Sequence, residues 1–241
     1  MNKVVVWALV LTMMLAGGQA HAQAYKDALH EGVRKSYYEN GQLKEVMELK
    51  DGKPEGVFKI YDENGQLREE GNYKNDQRYG VRKSYYKNGQ LQEETEFQGL
   101  LDWVSKSYGK NGKLRSETNF KNGCQDGLQK MYYESGQLRE EENFKNGLRE
   151  GLYKIYYENG QLREEGNYKN GKREGVFKMY DENGLLWMEK NYKDDRPDGL
   201  QKVYYENGKL REEENFKNGK PDGESKIYDE NGQLVMEEAY M

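Results

Sequence analysis

The chain has 241 residues, with 38 Lys+Arg against 43 Asp+Glu and a net charge of −5. A weakly acidic balance with interspersed signs argues against nucleic acid as a partner, because phosphate backbones recruit basic patches. With one histidine beyond residue 22 and a single cysteine, Cys124, the sequence offers no intrachain disulfide, no His/Cys metal cluster and no histidine-based acid/base pair, and no cofactor motif accompanies them.

Residues 1–22 open with one charge, Lys3, continue through an apolar run over 4–16 and reach the small-x-small triplet Ala20-His21-Ala22. This pattern predicts a secretory signal peptide cleaved after Ala22, and the run is too short for a spanning helix of roughly 20 residues. The mature protein is then expected to be secreted or periplasmic. Residues 23–31 form a lead segment that carries His30, a solvated residue on this reading.

Beyond residue 22 only 35 of 219 residues are Leu, Ile, Val or Phe, below the roughly one fifth that an ordinary globular core requires. A repeat resolves the shortfall. Glycines at 32, 56, 80, 127, 151, 175, 199 and 223, with Trp103 in the same register, step by 24 residues except once by 23, and a second glycine follows each nine residues later. A fixed period of this size means a repeat architecture, here nine copies over 32–241.

Each copy holds two β-rich runs, such as 57–61 and 67–73, separated by Glu-Asn-Gly, the dipeptide Asn-Gly being the strongest short hairpin signal. A second Lys-Asn-Gly with its tail connects one hairpin to the next. All three prolines, Pro54, Pro197 and Pro221, fall in that tail and predict a loop. With a two-residue turn Lys59 faces Glu70; with a bulged three-residue turn it faces Glu69. The apolar pattern favours the bulged register, with Val57, Tyr61, Leu67 and Tyr73 on one face and Phe58, Ile60, Arg68 and Glu70 on the other. The predicted fold is all-β, an elongated single-layer antiparallel meander of nine tandem hairpins in which each copy covers its neighbour.

Two side-chain files recur in all nine copies. The lysine at the fourth position, from Lys35 to Lys226, pairs with glutamates in either register, with contact to anionic lipid as the functional alternative. The tyrosine at the sixth position, including Tyr61, Tyr85, Tyr108, Tyr132, Tyr156, Tyr180 and Tyr204, packs in the sheet and offers aromatic surface for binding. Copy four is irregular: Trp103 replaces glycine, Gly109 replaces the second tyrosine, and the connector at Gln98-Gly99 has lost a residue. Trp187 stands in an arginine position, and the two tryptophans with the tyrosine file make up the candidate interaction surface. Identical carboxylates in every copy read as structural, since a catalytic pair needs unequal environments.

The segments Tyr-Tyr-Glu-Asn-Gly-Gln-Leu-Arg-Glu-Glu at 156–165 and Asn-Tyr-Lys-Asn-Gly-Lys-Arg-Glu-Gly at 167–175, with their equivalents, resemble the MORN-repeat variant family, whose members are often labelled YwqK-type antitoxins. The resemblance implies a sheet of hairpins with an interaction role rather than catalysis. The function expected is an exported, non-enzymatic scaffold for an unidentified protein partner, with an antitoxin or immunity-like role implied by the resemblance. A membrane-surface module that binds anionic lipid is the alternative, and an enzyme acting on cell-wall glycan is the third reading.

Overall fold

A computed structural model describes residues 32–240. The predicted signal peptide, its predicted cleavage point after Ala22 and the lead segment with His30 lie outside the described residues. Contacts divide the chain into one unit through Gly89 and another from Gln90 onward.

Unit one is a meander of Gly32–Tyr37, Leu43–Lys50, Lys53–Tyr61, Leu67–Lys74 and Gln77–Tyr85, each antiparallel to the next. Unit two repeats the arrangement from Leu91–Phe97 to Leu234–Tyr240, again by antiparallel pairing of sequential strands. Every described element is a strand, as the tandem-hairpin pattern predicts.

The two Asn-Gly signals do different jobs. In Lys-Asn-Gly both turn residues take positive φ, for example Asn170 at 49° and Gly171 at 82°, which is the two-residue turn whose twist matches the strands. Where glycine is absent, Asp194 and Asp195 adopt the same conformation at 51° and 68°. The connector predicted as a loop is therefore a tight hairpin. Pro54, Pro197 and Pro221 sit in strand pairing opposite Leu49, Tyr192 and Phe216. The carbonyls of Pro54 and Pro197 accept from the amides of Asp76 and Gly219 in the next connector.

In Glu-Asn-Gly only the glycine is left-handed, Gly65 at 80°. The Gly65 amide donates to the Asp62 carbonyl and the Asp62 amide to Gln66, a type I turn followed by a glycine bulge. The bulged register thus holds beside the turn, where Tyr61 meets Leu67, but a second bulge at Arg68 cancels it one residue later. Lys59 consequently faces Glu70, not Glu69.

This second bulge overturns the expected division of faces. Gly56, Phe58 and Ile60 oppose Tyr73, Gly71 and Glu69 on the face that buries its side chains, with Phe58 only 3% exposed. Val57 lies on the other face, 40% exposed, alongside Lys59 and Tyr61. The predicted Val, Tyr, Leu, Tyr face is split: Val57, Tyr61 and Leu67 lie on the open face, whereas Tyr73 packs against Phe58 on the buried one.

In unit two the core is Tyr153, Phe177 and Tyr192, joined by Ile155 and Tyr168. Phe177, wholly buried, meets Tyr168 and Tyr192 edge-on at centroid distances of 5.7 and 5.3 Å. It lies flat on Gly166, where an added Cβ would stand 2.5 Å from the ring, so glycine is required here for the close approach.

Copy four is coherent rather than damaged. Elsewhere the connector ends in a bulge followed by a first-position glycine at strongly positive φ, such as Gly199 at 103°. The shortened connector pairs Glu93 to Phe97 with Ser107 to Trp103 without any register shift. With no bulge there is no left-handed position, and Trp103 can occupy the site and stack on Phe120 at 4.7 Å.

Candidate interaction surface

The face opposite the core is built from three parallel files. Lysines and glutamates alternate from strand to strand: Glu141 faces Lys130 in its own hairpin and Lys154 in the next, and Glu213 faces Lys202 and Lys226 in the same way. Nζ to carboxylate distances are 3.5 Å for Lys59–Glu70 and Lys130–Glu141, and 3.7 Å for Lys178–Glu189. Exposed pairs of this kind contribute roughly 0.2 to 1 kcal/mol each, but the alternation cancels the field of the lysine file.

The sixth-position tyrosines stand beside this ladder, half-buried from Tyr61 onward, with Tyr37 exposed. Tyr85, Tyr156, Tyr180 and Tyr204 donate their hydroxyls to the ladder glutamate of the preceding copy, Glu70, Glu141, Glu165 and Glu189, at 2.6 to 3.2 Å. Tyr61, Tyr108 and Tyr132 face Leu67, Leu114 and Leu138 across their hairpins. Burial first, then the hydrogen bonds to Glu165 and Glu189, push Tyr180 and Tyr204 up to about 12. A phenol whose folded value is raised contributes stability in full below its ordinary value of 10 and loses it as pH rises through about 12. Absorbance titration should therefore show a late-ionising tyrosine class whose ionisation coincides with loss of the β-sheet circular dichroism; titration of every tyrosine near 10 would disprove these bonds.

The third file is apolar. Second-position residues Leu152, Val176 and Leu200 in unit two are 45%, 43% and 39% exposed, and Val33 and Val57 in unit one are equally open. Val33 faces Glu48, and the strand partners of the others are asparagines, such as Asn167 opposite Leu152. Asn119 and Asn143 donate across to the carbonyls of Leu128 and Leu152, so the backbone is satisfied while the aliphatic side chains stay in solvent.

The two tryptophans do not extend this surface together. Trp103 is half-buried on the core face against Phe120. Trp187 is 40% exposed and is the unpaired residue of the bulge between Tyr180–Leu186 and Met179–Met188. Cys124 is exposed, opposite Lys121.

One polar group on the core face escaped the sequence reading. Glu142, 5% exposed, forms an ion pair with Arg149 at 2.8 Å whose geometry falls short of a hydrogen bond. Arg149 also lies over the Tyr168 ring at 5.1 Å. Burial, then a hydrogen bond between its carboxyl and that of Glu140, push Glu142 up to about 7 against the pull of Arg149. Among the described residues no group of three or more His, Cys, Asp or Glu is placed to hold a metal ion.

A family model described as MORN repeat variant matches nine times, at residues 31–51, 54–75, 78–98, 104–122, 125–146, 149–170, 173–194, 197–218 and 221–240. No curated protein matches. Among solved structures the chain is similar to part of one titled "Crystal Structure of TcdB2-TccC3-Cdc42", at 16% identity and a TM-score of 0.22. That similarity covers 86% of this chain and 13% of the other.

Proposed function

Because the chain belongs to the MORN repeat variant family, we propose that this repeat scaffold is exported and non-enzymatic, and binds another protein along the apolar and tyrosine files. The observation that carries this reading is the exposed second-position file. Leu152, Val176 and Leu200 recur at one place in successive hairpins, each more than a third exposed, and lie across the charged ladder from tyrosines that suit protein contact. The ladder beside them presents alternating charge, which disfavours a lipid headgroup layer as the ligand. Export rests on Lys3, the apolar run and the Ala20-His21-Ala22 triplet. An immunity-like role beside an exported toxin would be one form of such binding.

The test compares wild-type protein with a Leu152→Glu, Val176→Glu, Leu200→Glu variant as bait in envelope extracts. The wild type is expected to retain a protein that the variant loses at unchanged circular dichroism. Recovery of no protein, together with salt-sensitive binding to anionic vesicles, would turn the reading to a membrane surface. Turnover abolished by a single carboxylate substitution would end the non-enzymatic one.

A further inference from the structure

Inside unit two, the second strand of each copy presents its ladder glutamate to the first strand of the next. Copy eight meets copy nine with Glu212 across from Ile227, Glu213 across from Lys226 and Glu214 across from Ser225. The last described strand, Leu234–Tyr240, keeps the donor side of this arrangement, with Glu237 and Glu238 at the positions of Glu213 and Glu214. Among the described residues it pairs only with Lys220–Tyr228, and all seven of its residues are exposed, Val235 to 67%.

The first described strand, Gly32–Tyr37, holds the complement. In its own hairpin Lys35 faces Val46 and Arg34 faces Met47, so neither cation has a carboxylate directly across; Arg34 reaches Glu45 only diagonally, at 3.6 Å. The repeat's own register, applied between two molecules, sets Lys35 across from Glu237, Arg34 across from Glu238 and Ser36 across from Met236.

We propose that strand Leu234–Tyr240 of one molecule accepts strand Gly32–Tyr37 of a second copy of this chain, continuing the antiparallel ladder from molecule to molecule. Charge complementarity at two adjacent pairs fixes the register, and the edge backbone groups that pair with no described residue become satisfied. The contact joins unlike surfaces, so each added molecule leaves a fresh edge at either end and growth does not stop at a dimer. It uses strand edges, not the apolar file, and stands or falls independently of the partner-binding reading.

Sedimentation velocity of the purified protein is expected to show average mass rising with concentration beyond a dimer. Arg34→Glu with Lys35→Glu blocks one edge, and Glu237→Lys with Glu238→Lys blocks the other. Each double variant should be monomeric alone, and in an equimolar mixture, where one contact is native and the other is charge-swapped but again complementary, alternating multimers should return. A second arm does not depend on those charges: in a Cys124→Ser background, Ser36→Cys with Met236→Cys should give a disulfide-linked series of multimers on oxidation. A wild type that is monomeric at every concentration, association that halts at a dimer or survives both double variants, or oxidation that yields no linked multimers would overturn the proposal. Slow amide exchange along both end strands of such a monomer would assign their cover to the chain itself.

Discussion

Replacing Phe177 with alanine is expected to cost unit two about 3 to 5 kcal/mol, the range for removing a fully buried aromatic side chain. The ring is 0% exposed, lies against Tyr153 and Tyr168, and joins Tyr192 to them. A single sheet has no facing layer to settle into the space, and a repeat array is stabilised mainly by contacts between neighbours. Chemical denaturation followed by circular dichroism should show the loss as a lower midpoint. A Gly166→Val variant tests the other half of the same contact. The new side chain would meet the ring below contact distance and force it off the strand, at a cost of about 1 to 3 kcal/mol. A Phe177→Ala loss under about 1 kcal/mol would mean that the cluster does not hold neighbouring copies together.

The second large effect is one of pH. Glu142 ionises near 4.5 in the unfolded chain but near 7 in the folded one. A carboxyl raised in this way favours the folded state while it is protonated. As pH climbs from about 4.5 to 7 the unfolded chain releases the proton first, and stability falls until both forms are ionised. The difference corresponds to about 3 kcal/mol at one pH unit per 1.36 kcal/mol. Denaturation midpoints of the wild type should therefore drop between those values. A Glu142→Gln variant, which keeps the shape and can still hydrogen-bond Glu140, should flatten the profile and exceed the wild type at pH 8. Equal slopes in the two proteins would show that Arg149 alone controls the carboxylate.

The repeat, the strand content and the lysine opposite glutamate were legible because each follows from a period, from Asn-Gly chemistry or from charge recurring in step. The buried face was not. Its assignment depends on whether the turn bulge persists along the hairpin, and the compensating bulge at Arg68 has no residue signature, since arginine, lysine, glutamine, tryptophan and valine all occupy that position. One clue was present. Gly71 and Gly166 replace the usual side chain where Phe58 and Phe177 lie beside them, a pairing of bulk with absence that marks the packed face. Copy four shows a related limit: its missing residue and its tryptophan look like two separate lapses in sequence but are one change in backbone. Glu142 was hidden among identical glutamates because its distinction comes from Tyr153 and Arg149 in the following copy.

The bonds between copies run at constant separation. Tyr38, Tyr133, Tyr157 and Tyr205 each donate to the backbone carbonyl 23 residues ahead, and Asn40, Asn159 and Asn207 do the same from the turns. Glu55, Asp126, Glu150 and Asp198 each accept from the amide 20 residues further on. Duplication or loss of a whole repeat by recombination would leave every one of these bonds with a partner, so copy number can drift between descendants without a new core having to evolve. Point substitution is constrained at a handful of places per repeat, whereas the reach of the molecule is free to change in steps.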